Sequence, residues 1–302
     1  MSMTNVLVFG STGAQGIPQV RELCRAGIAV RAVSRRPDAF SALEFADVVA
    51  VAADYSDRDA LATALTDVDA VFFQAPVLGD RDRLLGEAQN VANAARRAAV
   101  RLVIVNSSMW SPGDAPCGDP IYDRVASMEN IFLESGVPCI VFQPTLFMDN
   151  LQGDWVRTQI ANGMYSYCHK PQLQADWISL GDVAKYMVAA LDRPDLVGRK
   201  IRLGGPERLT TLEVLAILSE TVGTKVELDY LTPRQFGEGF WQAFGNTSGL
   251  DRETFIDNVE SFYTFNNDAP QRPFEMDSSV TRELLPMELS DLRTWASTQN
   301  WS

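Results

Sequence analysis

The chain has 302 residues, of which 46% are hydrophobic and 22% charged, and its formal net charge is −13. This length suggests about two domains or one large domain, and the composition is typical of a globular protein with a full core. The acidic charge argues against nucleic acid and membranes as partners, because both are negatively charged. Four scattered cysteines without metal-ligand spacing and the lack of a basic, apolar leader favour a reducing, cytoplasmic setting and no bound metal.

The first predicted elements are a buried strand, a glycine-rich turn and a helix. Residues 6–9 form an apolar run, and residues 10–16 read GSTGAQG. Gly10 permits a sharp turn, Gly13 lets the backbone approach a pyrophosphate, and Gly16 lets helix and strand pack closely. Because free N–H groups at a helix start attract anions, this turn predicts a dinucleotide site. The predicted contacts here are Gly10, Thr12, Gly13, Ala14, Gln15 and Gly16.

Short apolar runs rich in Val and Ile recur through the first half of the chain and predict buried parallel strands. They lie at residues 6–9, 29–33, 48–52, 70–74, 102–106 and 139–143. Helical patterns fill the gaps, most clearly over residues 84–98. Repeated units of this kind predict an α/β fold, a Rossmann-type doubly wound parallel sheet that binds its ligand at the carboxyl ends of the strands.

The second half of the chain is less regular. Strands are predicted at residues 177–179, 200–203 and 225–230, and helices at residues 181–191 and 211–222, before a helical and aromatic region from residue 232. We expect a dinucleotide-binding Rossmann domain over residues 1–150, to which residues from about 176 to 206 return. A smaller C-terminal α/β lobe that binds a substrate or a partner is expected over residues 151–302.

Several sequence motifs together resemble the NmrA-like branch of the atypical short-chain dehydrogenases/reductases. They are GSTGAQG at 10–16, VSRRP at 33–37, AADYSD at 52–57, ESGVPCIVFQPTLFMDNL at 134–151 and DWISLGDVAKYMVAAL at 176–191. The resemblance covers most of the chain and weakens after about residue 230. It implies an NAD(P)-binding fold, usually with a preference for NADP(H).

Ser34, Arg35 and Arg36 follow the second predicted strand. An acidic residue at this point would hold the ribose 2′-hydroxyl of NAD, whereas a guanidinium suits a 2′-phosphate because it donates two parallel hydrogen bonds. We therefore expect NADP(H) as the cofactor, with Arg35 the better candidate of the two arginines. The alternative is that the arginines are solvated surface charges.

Further cofactor contacts are expected where later strands end. The resemblance places Asp54 and Tyr55 near the adenine, although Asp54 equally suits a turn or a helix cap. The backbone after the sixth predicted strand is expected to approach the nicotinamide. The remaining predicted contacts are Gln74, Ala75, Pro76, Asn106, Ser107, Pro144, Thr145 and Phe147, and for Phe147 a place in the core is an equal alternative.

The usual catalytic pair of short-chain reductases is absent. In that pair a Lys one helical turn after a Tyr lowers the pKa of the phenol. Here Ala126 lies four residues after Tyr122, and Val125 occupies the position where the resembling family often has Lys or His. Tyr122, with Ser108, is the candidate proton donor, and a packing or surface role for Tyr122 is the alternative.

Three interpretations of the function remain open. Tyr122 acts unassisted, or hydride passes to an electron-poor acceptor while water supplies the proton, or the protein does not turn over and senses NADP(H). We favour an NADPH-dependent reductase of a small apolar or aromatic acceptor, namely a quinone, activated alkene, carbonyl or imine. The runner-up is a catalytically weak NADP(H)-binding regulator that acts through a protein partner. A homodimer is also possible.

Two further features have both a structural and a functional interpretation. His169 is the single histidine, and we expect it to be structural or exposed rather than part of a nucleophile pair. Aromatic residues recur at helical spacing in the second half and predict either core or an apolar cleft beside the nicotinamide. They are Phe236, Phe240, Trp241, Phe244, Phe255, Phe262, Tyr263 and Phe265.

Overall fold

In the part of the chain that the structure describes, seven parallel strands form the central sheet, in the order β3-β2-β1-β4-β5-β6-β9. The computed structural model describes residues 3–35, 45, 48–74, 80–113 and 115–301, without the side chains of residues 246 and 247. The strands of this sheet are β1 (Asn5–Val8), β2 (Ala29–Ser34), β3 (Val48–Ala52), β4 (Ala70–Phe73), β5 (Leu102–Asn106), β6 (Cys139–Pro144) and β9 (Lys200–Leu203). The strand order reverses between β1 and β4, so a crevice for a ligand is expected at their carboxyl ends. The predicted Rossmann-type sheet is confirmed.

Helices cover both faces of this sheet. In the part of the chain that the structure describes, the α-helices are α1 (Gly16–Arg25), α2 (Arg58–Ala64), α3 (Arg81–Arg97), α4 (Pro120–Leu133), α5 (Asp154–Ala161), α6 (Leu180–Ala189), α7 (Thr211–Val222), α8 (Pro233–Ser248), α9 (Arg252–Asp268), α10 (Ser278–Leu284) and α11 (Leu292–Ser297). The side chains of β1 alternate between two cores, because successive residues of a strand point to opposite faces. Leu7 joins the core beneath α2, α3 and α4, whereas Val6 and Val8 join the core beneath α1 and α6.

Local capping signals explain where several helices begin. The Asp119 carboxylate accepts hydrogen bonds from the first backbone N–H groups of α4, and Pro120 occupies its first position. Thr232 and Gln235 form a reciprocal capping box at the start of α8. These caps fix the helices that carry the aromatic residues discussed below.

A third core lies under the second half of the chain. Two small sheets border it: β7 (Met164–Tyr167) pairs in parallel with β11 (Glu227–Tyr230), and β8 (Gln174–Asp176) pairs in antiparallel with β10 (Arg208–Thr210). Helices α5, α7, α8 and α9 contribute its apolar side chains, among them Phe236 and Phe255. Among the described residues, no helix combines the length and the apolar character needed to cross a membrane.

In the second half, the strands predicted at residues 200–203 and 225–230 correspond to β9 and β11, whereas one predicted strand was misplaced. The strand predicted at residues 177–179 lies three residues earlier, and Ile178 makes only an isolated bridge with Phe147. The short strands β7 and β10 were not predicted. Helix α6 packs against one face of the central sheet, and β9 is a strand of that sheet, where it pairs with β6.

Candidate active site

The glycine turn after β1 is compact: one of its positions favours glycine by its backbone conformation, and another has no room for a side chain. Gly10 adopts a φ of +61°, which favours glycine. A Cβ atom on Gly16 would lie 2.2 Å from the Gly10 carbonyl oxygen, so α1 can approach β1 this closely only with glycine there. The backbone N–H of Gly13 donates to the Gly10 carbonyl oxygen at 2.9 Å. The turn therefore brings the start of α1 to the carboxyl end of β1.

A cleft of about 370 Å³ opens at this turn. We call it the switch-point cleft, and its lining residues are Phe9, Gly10, Thr12, Gly13, Ala14, Gln15, Val33, Ser34, Arg35, Ala53, Asp54, Tyr55, Gln74, Arg83 and Glu87. Most of the predicted cofactor contacts in the first half of the chain thus border one cleft. Arg36, Ala75 and Pro76 lie outside the described residues.

Charged side chains gather at the end of the cleft beyond β2. The Asp54 carboxylate accepts hydrogen bonds from the backbone N–H and the hydroxyl of Ser56, which lower its pKa, and the Arg35 and Arg83 guanidiniums add to this effect. Arg83 also donates to Glu87 at 2.8 Å. Asp54 is therefore a charged turn residue that also borders the cleft, so both of its predicted roles suit its position.

A largely buried hydrogen-bond network holds two further lining residues of the cleft, Tyr55 and Gln74. The Tyr55 hydroxyl donates to the Gln74 carbonyl oxygen at 3.0 Å, and its ring packs 5.2 Å from the ring of Phe9. The Gln74 amide donates to the Phe9 carbonyl oxygen at 3.1 Å and accepts from Gln19 at 2.6 Å. Tyr55 and Gln74 are thus fixed before any ligand binds.

A second cavity, of about 230 Å³, adjoins the cleft. We call it the aromatic cavity, and its lining residues are Gln15, Ser108, Met109, Ile121, Thr145, Leu146, Phe147, Asn150, Phe240, Val259, Phe262, Tyr263 and Phe274. Among the described residues, none that lines it carries a charge. Gln15 lines both the cleft and this cavity, so the two spaces border the same residue, immediately before α1.

Gln15 belongs to a network of three polar side chains, of which Ser108 also lines the cavity and Asn106 lines neither space. The Asn106 amide donates to Gln15 Oε1 at 2.8 Å, Gln15 Nε2 donates to Ser108 Oγ at 3.0 Å, and the Ser108 backbone N–H donates to Asn106 Oδ1 at 2.9 Å. Ser108 adopts a φ of +65°, a region that non-glycine residues populate sparsely and that often marks functional sites. The structure therefore brings Ser108 and Asn106 together with Gln15, which the sequence analysis assigned only to the cofactor turn.

Other predicted residues serve the surrounding structure. Ser107 is fully buried, and its hydroxyl lies 2.9 Å from the carbonyl oxygens of both Met109 and Phe142. Pro144 ends β6 in the core, and the Thr145 hydroxyl donates to the Asp176 carbonyl oxygen. Ser107 and Pro144 line neither the cleft nor the cavity, whereas Thr145 lines the cavity.

Tyr122 is not positioned for proton transfer to a ligand. Its side chain is 0% exposed, and its hydroxyl donates to the Asn266 side-chain oxygen. The ring packs between Trp110, Phe262 and Phe265, and burial raises the pKa of the phenol well above its ordinary value. Tyr122 lines neither space, so its position argues against the predicted proton donor and favours the packing alternative.

The aromatic stripe of the second half serves both roles that the sequence left open. Phe236 and Phe255 are buried in the third core, whereas Phe240, Phe262 and Tyr263 line the aromatic cavity. Several other lining residues were not singled out from the sequence: Arg83, Glu87, Met109, Ile121, Asn150, Val259 and Phe274. No local pattern marks them, because distant segments bring them together.

These features define a Rossmann-type α/β protein with a glycine turn at the switch point and an aromatic cavity beside it. The chain belongs to the NmrA-like family, whose model matches residues 2–295.

Two curated relatives and one solved structure are similar to the chain. A "(4-alkanoyl-5-oxo-2,5-dihydrofuran-3-yl)methyl phosphate reductase" of Streptomyces griseus is 33% identical over 226 residues, which cover 75% of this chain and 77% of that protein. An NAD(P)H azoreductase of Xenophilus azovorans is 27% identical over 230 residues, 76% of this chain and 78% of that protein. The triphenylmethane reductase of Citrobacter sp., solved with NADP(H), matches with a TM-score of 0.76 and 19% identity over 97% of this chain and 98% of that chain.

His169 is buried next to residues that line the aromatic cavity, but it does not line the cavity itself. It is 1% exposed, and its ring lies 4.6 Å from that of Tyr167, 5.6 Å from that of Tyr263 and 5.7 Å from that of Phe274. Burial lowers the pKa of the imidazole from 6.5 to about 3. The folded protein therefore holds His169 neutral at pH values where the unfolded chain protonates it.

We expect this histidine to make the fold less stable in acid. Above about pH 6.5 the imidazole is neutral in both the folded and the unfolded state, and its full contribution to stability is present. Below that pH only the unfolded chain binds the proton, so the free energy of unfolding falls by about 1.4 kcal/mol per pH unit. Urea unfolding of the wild type and of His169→Phe at pH 7 and pH 5 tests this. The difference in free energy of unfolding should shift by about 2 kcal/mol in favour of the variant at pH 5. Parallel pH profiles of the two proteins would contradict the expectation.

Proposed function

We propose that this protein is an NADPH-dependent oxidoreductase that reduces a small, uncharged apolar or aromatic acceptor. The acceptor classes are a quinone, an activated alkene, a carbonyl or an imine. One observation carries the proposal: Gln15 lines both the switch-point cleft and the aromatic cavity. A dinucleotide that extends along the cleft past Gln15 would present its nicotinamide to a ligand in the cavity.

The cleft suits the anionic cofactor despite the acidic net charge. The glycine turn offers backbone N–H groups at the start of α1, where the helix dipole favours a diphosphate. Arg35 lies at the end of β2, next to Ser34, and Arg83 borders the same end of the cleft. Two guanidiniums near the ribose position support NADP(H) over NAD(H). The name of the NAD(P)H azoreductase of Xenophilus azovorans covers both cofactors, so the preference for NADP(H) rests on the arginines.

The aromatic cavity suits an uncharged, flat acceptor. Phe147, Phe240, Phe262 and Phe274 contribute rings to its lining, and no described lining residue is charged. Burying an unpaired charge there would cost several kcal/mol, roughly, because no protein group would compensate the lost hydration. Reductases among the relatives act on varied acceptors by name, so the cavity rather than the family defines the substrate class for this chain.

The residues of the chain orient the acceptor rather than supply a strong acid. The bound reduced cofactor supplies a hydride. The Gln15 amide donates a hydrogen bond to the Ser108 hydroxyl at 3.0 Å on the wall of the cavity. These two polar groups orient the substrate beside the cofactor. Water supplies the proton, because the Tyr122 phenol is buried against Asn266 and Val125 and Ala126 do not ionise. Positioning then provides most of the rate acceleration.

We expect Arg35 to select the phosphorylated cofactor. Arg35→Gln should weaken NADPH binding about tenfold, because a charge-assisted hydrogen bond to the 2′-phosphate is lost, and should leave NADH binding within about twofold. Arg21→Gln serves as the matched control, since Arg21 is an exposed arginine of α1 that does not line the cleft. Fluorescence titration with both cofactors measures the effect. Equal weakening of NADPH and NADH, or equal wild-type affinities for them, would contradict this role.

Turnover itself is tested with two acceptors that differ in charge. We expect the protein to oxidise NADPH with 1,4-naphthoquinone and to show a kcat/KM at least about tenfold lower with its 2-sulfonate, because the aromatic cavity offers the sulfonate no cation. The sulfonate makes the ring more electron-poor, so intrinsic reactivity works against this result. Equal kcat/KM values would contradict the assignment of the cavity. Tight NADPH binding without oxidation by either quinone would favour the regulator instead.

A further inference from the structure

Tyr263 is the one described tyrosine that lines the aromatic cavity. It belongs to α9, and neighbouring rings hold its ring in place: Phe236 lies 5.0 Å away and Phe262 5.2 Å away. Edge-to-face contacts of this kind fix the direction of a phenol. The hydroxyl of Tyr263 is thus held in one region rather than free to rotate through the cavity.

The hydroxyl of Tyr263 lies 3.0 Å from the hydroxyl of Tyr167, and either oxygen can be the donor. Two hydroxyls carry two protons, and the one hydrogen bond between them uses one. Tyr167 is 7% exposed and does not line the cavity, and within the described residues its hydroxyl bonds only to Tyr263. Donation from Tyr167 to Tyr263 therefore satisfies both oxygens and leaves the proton of Tyr263 for a group outside the pair.

Both phenols keep their protons throughout the ordinary pH range. Burial raises the pKa of Tyr167 and that of Tyr263 above the ordinary value of a tyrosine. The neighbouring His169 is neutral for the same reason, and it packs against both rings. The pair is therefore an uncharged hydrogen-bond donor in an uncharged cavity, suited to a ligand that is itself uncharged.

We propose that Tyr263 donates a hydrogen bond to a carbonyl oxygen, or an equivalent neutral acceptor atom, of the ligand that occupies the aromatic cavity, and that Tyr167 orients this donor. The cavity then recognises an apolar ring by its aromatic lining and one polar atom by Tyr263. This inference names the recognition element of the substrate class in the proposed function. It requires no hydride transfer, so it is testable without turnover.

Two ligands of the same skeleton test it by calorimetry in the presence of NADP⁺, which has no hydride to give. The probes are 1-tetralone, which has a carbonyl, and tetralin, which lacks it. Wild-type protein should bind 1-tetralone more tightly. Tyr263→Phe should weaken 1-tetralone binding about fivefold to tenfold and leave tetralin binding unchanged, because only the former loses a hydrogen bond. Tyr167→Phe should weaken 1-tetralone binding about twofold to threefold, because Tyr263 keeps its proton but loses its orienting partner.

Tyr165→Phe is the matched control. Tyr165 is a buried tyrosine of β7 whose ring stacks 5.0 Å from that of Tyr167, but it does not line the cavity. Binding of both ligands should be unchanged in this variant.

Three results would overturn the proposal. The wild type binds the two ligands with equal affinity, Tyr263→Phe loses equal affinity for both, or Tyr263→Phe loses no affinity for 1-tetralone. If Tyr263→Phe does not fold, the same comparison with Tyr167→Phe decides. Binding as expected without quinone reduction would leave this inference intact while the proposed activity fails.

Discussion

The close contact between β1 and α1 is the constraint on which the rest of the site depends. Only a residue without a side chain fits at Gly16, because a Cβ atom there would lie 2.2 Å from the Gly10 carbonyl oxygen. This contact sets the direction of α1 and places Gln15 immediately before it. Gln15 then reaches Asn106 and Ser108 at the end of β5. One backbone approach thus aligns the switch-point cleft with the aromatic cavity.

The second half of the chain contributes most of the aromatic rings that line that cavity. Helices α8 and α9 contribute Phe240, Phe262 and Tyr263, while the neighbouring His169 is kept neutral by burial. The described lining of the cavity is uncharged although the protein has a net charge of −13. The composition alone therefore does not explain this lining. Under the proposed function this lining admits neutral ring compounds, because burying an unpaired charge there would be unfavourable.

The sequence predicted those parts of the fold and the site that depend on local patterns. The parallel strands are continuous apolar runs, and the glycine turn has a distinctive spacing, so both were predictable. The sequence left both a catalytic and a packing role open for Tyr122, because its hydrogen-bond partner Asn266 lies 144 residues away in the chain. Phe274, which lines the cavity, carries no local signal of its role, since contacts between distant segments place it there. Strand β10 has three residues, too few for a recognisable pattern, and β7 reads MYSY, which is not a continuous apolar run.

The central claim is that a nucleotide in the switch-point cleft delivers its nicotinamide to the aromatic cavity. A crystal structure of the protein with bound NADPH tests it most directly. The account predicts the diphosphate against the backbone N–H groups that follow Gly10, and the nicotinamide past Gln15 with its C4 atom facing the rings of Phe240 and Phe262. A nicotinamide that lies outside this cavity, or a cleft that stays empty at saturating NADPH, would contradict it.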